Sequence, residues 1–215
     1  MKLRLYLLTC LSAAMLLPAI LHAQRPTAVD MGLSVKWASC NVGASYPEEF
    51  GDYYAWGETR AKQNYSLSTY RWYDSVKDQY TKYSVNQSGN NDNRFRLAQA
   101  DDAASVQMGG SWRMPTLDEF KELLANTVRS ASSRNGVPGL EFKSLRNGAV
   151  LFFPFSGSQF GTDTRNVGKY AFYWSASLDA RIDCDMAWFL SISSSGANCT
   201  AELRADGYVV RAVCP

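Results

Sequence analysis

The chain has 215 residues, with 22 Lys and Arg against 20 Asp and Glu, 46% hydrophobic and 13% aromatic residues, and one histidine, His22. Length and apolar content suit one domain with a sizeable core. A formal charge of +2 argues against nucleic acid or an anionic membrane as the main partner.

Lys2 and Arg4 precede an apolar run over residues 5–21, and Leu21-His22-Ala23 ends on a small residue. That is the pattern of a secretory signal with cleavage expected after Ala23. The run is broken by Pro18 and has no stop-transfer flank, so no membrane span is expected. The expectation is an exported chain, extracellular, periplasmic or associated with the cell surface, with a signal over 1–23 and a single domain over 24–215. Taking 23 residues from 215 leaves 192, and loss of Lys2 and Arg4 brings the charges to 20 against 20. His22 departs with the signal, so neither a Ser-His-Asp or Cys-His mechanism nor an imidazole zinc site is expected. Once Cys10 is gone, Cys40, Cys184, Cys199 and Cys214 remain. An even count in an exported chain points to two disulfides with three possible connectivities. Cys40–Cys214 with Cys184–Cys199 is the preferred pairing, because it would tie the chain ends and staple a local hairpin.

Along the mature chain, 29–39 reads as one or two short strands around Gly32, and 51–56 as an aromatic-rich strand closed by Gly57. Residues 58–93 are polar and show no sustained period, which predicts a long loop with one short helix over 75–80. Within it Tyr65, Tyr70, Trp72, Tyr73, Tyr80 and Tyr83 offer flat rings that could stack on sugar, with Asn64, Arg71 and Asp74 as hydrogen-bonding partners. The candidate ligand-binding set is Tyr65, Tyr70, Trp72, Tyr73 and Asp74. The competing reading is that these rings pin the loop to the core.

Asp101-Asp102 opens a short helix to Gln107. Gly109-Gly110 then frees the backbone for positive φ, and Pro115 biases Met114 to extended geometry, so Trp112 rides on a strand-like arm. Thr116 and Glu119 form a capping box, and Leu117, Phe120, Leu123 and Leu124 give the helix over 117–127 one apolar face. Trp37, Trp56, Trp112 and Trp174 all read as core anchors.

Beyond that helix, strands are expected over 140–145 and 149–153 around the Asn147-Gly148 hairpin signal, then over 172–177, 186–193, 199–203 and 207–213. Helices in the middle and strands in the second half predict an α+β domain with a mixed or antiparallel sheet. The oxygen-rich clusters Asp179, Asp183, Asp185 and Asn90–Asn93 lack the ordered calcium loop and read as turn residues. Asp101, Asp102 and Glu119 are poorly placed for a facing carboxyl pair. No catalytic residue, metal or cofactor is expected.

Several blocks in order carry a resemblance: residues 29–44 (VDMGLSVKWASCNVGA), 51–58 (GDYYAWGE), Asp101-Asp102-Ala103-Ala104, the Trp112 block, Tyr173-Trp174-Ser175-Ala176-Ser177, and Gly207-Tyr208-Val209-Val210-Arg211. Together they resemble the Fibrobacter succinogenes major paralogous domain family, over most of 29–213. The resemblance implies a compact C-type-lectin-like fold related to formylglycine-generating enzymes, with the two chain ends paired. Export, the aromatic loop, the absent histidine and this resemblance together lead to the expectation of a secreted, non-catalytic module for an extracellular glycan or surface protein. The alternatives are a cofactor-dependent enzyme of the formylglycine-generating kind, or a structural envelope component. The closely placed thiolate pair of such oxidases and the Glu-Pro-Asn and Trp-Asn-Asp triplets of calcium-dependent lectins do not occur here.

Overall fold

The computed structural model describes residues 26–85, 91–181 and 184–215, so the expected signal sequence lies outside the described residues. Among those residues the architecture is α+β, built from small antiparallel sheets around two short helices. No described helix is long and apolar enough to cross a membrane.

The first and last described strands meet in one sheet. β1 (Ala28–Val29) pairs with β2 (Lys36–Ala38), and β2 pairs with the last strand, β13 (Val213–Cys214). The centre is β10 (Tyr170–Asp179), joined antiparallel to β11 (Met186–Ser193) and through it to β12 (Gly196–Leu203). Alternation along β10 explains its place. Ala171 and Tyr173 point into a core with Trp37, Phe120, Phe142 and Phe153, whereas Trp174, Ala176 and Leu178 point into a second core with Trp56, Tyr83 and Tyr208. A strand buried on both faces holds the two cores in register.

β5 (Thr127–Arg134), β6 (Val137–Ser144) and β7 (Val150–Pro154) form a meander over the first core. The expected hairpin around Asn147-Gly148 is present. A second hairpin, β5–β6, turns at Asn135-Gly136, both with positive φ (48° and 82°), the signature of a two-residue primed turn. β8 (Ser158–Phe160) and β9 (Asp163–Arg165) make a small outer ribbon. Helix α1 (Ala103–Met108) is capped by Asp102, which accepts from Ser105 N–H. Helix α2 (Leu117–Ala125) opens on the expected Thr116–Glu119 box, and buries Phe120 and Leu123.

Three expectations are corrected. The helix placed over 75–80 is a hairpin, β3 (Tyr73–Asp74) with β4 (Gln79–Tyr80), whose turn is held by Asp74 accepting from Val76 and Lys77 N–H. The strands placed over 51–56 and 207–213 are largely single bridges, such as Tyr54 with Tyr208. Cys40, Cys184, Cys199 and Cys214 are free thiols. Cys214 pairs across the sheet with Lys36, while Cys40 lies beyond the bend after Ala38 and sends its thiol to the Ala44 carbonyl at 3.2 Å. Cys199 stands opposite Leu190, four residues up β11 from Met186, so roughly 13 Å of strand separates it from the end near Cys184. Disulfide geometry asks for Cα atoms within about 7 Å.

Candidate functional site

The tyrosine-rich segment belongs mainly to the core. Tyr65 and Tyr70 are each 3% exposed. The Tyr65 hydroxyl donates to the Tyr53 carbonyl at 2.6 Å, and that of Tyr70 to the Trp56 carbonyl at 2.6 Å. Burial pushes both hydroxyls above their usual range, which keeps them protonated as donors. Trp72 is half-buried, its Nε1 donates to Gly57 at 2.8 Å, and Arg71 and Lys82 lie 4.5 and 4.6 Å from its ring centre. Tyr73 bonds Asp78, and the Asp74 carboxylate serves its own turn. The expected stacking platform is therefore not assembled: Tyr65 and Tyr70 have no ring face left for a ligand.

A different aromatic is presented. Trp112 is half-buried, packed on the second core, and lines two clefts of about 430 and 270 Å³. Pro26, Val42, Gly43, Ala44, Gln107 and Met108 line the larger one. Arg96, Gln99, Ser105, Ser111 and Arg113 line much of the smaller.

The local sequence fixes the backbone that carries this indole from both directions. Trp112 N–H donates to Gly109 at 3.2 Å across the Gly-Gly turn, and Ser105 Oγ donates to the Trp112 carbonyl at 3.0 Å. One residue on, Arg113 exchanges two backbone bonds with Val213, at 3.0 and 2.8 Å. Met114 N–H donates to both oxygens of Asp102, at 3.0 and 2.9 Å. Burial raises the Asp102 carboxyl, while the N–H groups of Ser105 and Met114 pull it back. Arg113 reaches Glu119 through two nitrogens, tying the arm to the cap of α2. A backbone held this way loses little freedom when a ligand stacks on the ring it carries. Planar amides, hydroxyls and a guanidinium beside a flat ring form the lining that suits a sugar or a polar peptide.

The other carboxylates raised by sequence have structural partners. Asp101 binds Lys82 and the Tyr83 hydroxyl. Asp179 is held by Arg181 at 2.7–2.8 Å, which brings its carboxyl below the usual range. Asp92 accepts from Tyr83 and Ser84 N–H. Asp183 and Asn90 lie outside the described residues. No group of three metal-ligating side chains occurs among the described residues. Sequence reasoning missed Asp206, whose carboxyl is pushed up to about 7 by burial and by nearby Glu202, against the pull of Arg165. It also missed the flanking clefts, although the Trp112 arm itself was visible.

Compared with protein-family models, curated proteins and solved structures, the chain gives no match in any of the three.

Proposed function

We propose that the chain is an exported, non-catalytic binding module of C-type-lectin-like fold, related to the Fibrobacter succinogenes major paralogous domain family, that takes an extracellular glycan on the Trp112 face. The observation that carries this reading is one half-buried indole, on an arm whose backbone is held by its neighbours, that lines two clefts, the smaller of them largely polar. The paired chain ends support the fold assignment. The oxidase alternative needs adjacent thiolates, whereas Cys184 and Cys199 pack against different cores. A glycan array and a pull-down from envelope fractions test the proposal. Binding to a defined glycan set supports it. Capture of proteins alone moves the reading to a surface-protein receptor, and self-association without either moves it to a structural component.

A further inference from the structure

Two arginines are completely buried, and they differ in one respect. Arg211 has every edge of its guanidinium occupied: Nε donates to Asn41 at 2.9 Å, Nη1 to Ala38 at 3.3 Å and Nη2 to Phe152 at 3.0 Å. Arg204 uses only Nη1, which donates to the Lys82 and Tyr83 carbonyls at 3.3 and 3.1 Å. Its Nε and Nη2 are buried with no hydrogen-bond partner among the described residues. No ion pair joins it to any described carboxylate, since Asp101 is taken by Lys82 and Glu58 by Lys62. A guanidinium is a cation with five donors and no acceptor, so a bare edge in the interior is costly.

The rings of three aromatic residues lie against that guanidinium. The Arg204 carbon lies 3.9 Å from the Tyr80 ring centre and 5.6 Å from those of Trp56 and Tyr70. Trp56 and Tyr70 are buried, but Tyr80 is only half-buried and sits on the β3–β4 hairpin. That hairpin is a ladder of two residue pairs, Tyr73 with Tyr80 and Asp74 with Gln79. Ladders this short have little stability of their own.

We propose that the Nε–Nη2 edge of Arg204 is a receptor for a carboxylate, carried by a small organic acid or an acidic sugar, with Tyr80 as its cover. Nε and Nη2 are parallel donors at the spacing of the two oxygens of one carboxylate, and such paired, charge-assisted bonds are among the strongest in proteins. This site is separate from the Trp112 face and does not depend on it.

The test is thermal unfolding and intrinsic tryptophan fluorescence of the full chain, titrated with sodium acetate, sodium galacturonate, galactose or sodium chloride at matched ionic strength. The expected result is a saturable signal with acetate or galacturonate and none with galactose or chloride. At a hundredfold excess over Kd the melting temperature rises by roughly 5–10 °C. A response to galacturonate that exceeds acetate identifies the acidic sugar as the source. Arg204→Gln loses the response, and if that variant does not fold, Tyr80→Ala is used instead: uncovering the edge strengthens apparent acetate affinity severalfold. Equal behaviour in acetate and chloride for both the native chain and Tyr80→Ala overturns the proposal. So does a crystal structure grown in acetate that places a water or one of the chain's own carboxylates on Nε and Nη2.

Discussion

Arg113 and Glu119 form a two-pronged ion pair, Nη1 to Oε2 at 2.8 Å and Nη2 to Oε1 at 2.5 Å, that joins the arm carrying Trp112 to the cap of helix α2. The same Oε2 accepts from Thr116 N–H at 2.8 Å. One carboxylate thus closes the helix end and fixes the arm.

Glu119→Ala removes both functions. A cap is worth about 1 kcal/mol and a hydrogen bond to a charged group about 1.5–3 kcal/mol, so the variant should lose roughly 2.5–4 kcal/mol in urea unfolding. Burial by itself would raise the Glu119 carboxyl, but Arg113 and the Thr116 N–H outweigh it and hold the value below the ordinary range. The contribution is therefore present above the ordinary carboxylate range and fades as pH falls through the lowered value. A native-minus-variant stability difference that persists unchanged at acid pH would contradict this account.

Asp206 has the opposite sign. Its folded value, raised from 3.8 to about 7, means that the folded state binds more protons than the unfolded one between those limits. Its stabilising effect is complete below pH 3.8 and is lost as pH rises towards 7. Asp206→Asn should flatten that part of the stability profile and be more stable than the native chain at pH 8. Parallel profiles for the two chains would show that Asp206 is not desolvated.

Gly207→Ala tests the assignment of Tyr65 to the core. A Cβ at residue 207 would sit 2.6 Å from Tyr65 Cδ1 and 2.7 Å from Gln159 Cβ. Overpacking of this kind costs about 1–3 kcal/mol. A neutral result would mean that the Tyr65 ring moves freely, which would return it to the list of ligand-facing residues.

The cysteine placement predicts four reactive thiols per chain when protein lacking residues 1–23 is unfolded without reductant. Thiol titration reads this directly. Two or fewer would require a backbone arrangement other than the β2–β13 and β11–β12 registers.

The parts of this fold that were legible in sequence are those where local chemistry and tertiary structure agree. The Thr116–Glu119 box, the Asn147-Gly148 hairpin and strand β11 each carry a local signal that packing leaves intact. β5 was missed because its Ser- and Arg-rich run has no alternation, and as an edge strand with an exposed face it needs none. Its turn at Asn135-Gly136 was a readable signal. The tyrosine cluster shows the opposite failure. A polar, unpatterned stretch reads as loop, yet its hydroxyls find backbone carbonyls such as those of Tyr53 and Trp56, and the rings can then be buried. Trp112 was expected inside, and half of it is. The clefts that Trp112 lines arise from segments far apart in sequence, 42–44, 96–99 and 105–113, which no local pattern connects.

The central claim rests on the exposed half of one indole. Titration of the glycans retained on an array against native chain and Trp112→Ala, with unfolding curves for both, tests it most directly. The expected result is at least a tenfold loss of affinity in a variant that still unfolds cooperatively, equivalent to about 1.4 kcal/mol or more of binding. Undiminished glycan binding by folded Trp112→Ala would contradict it.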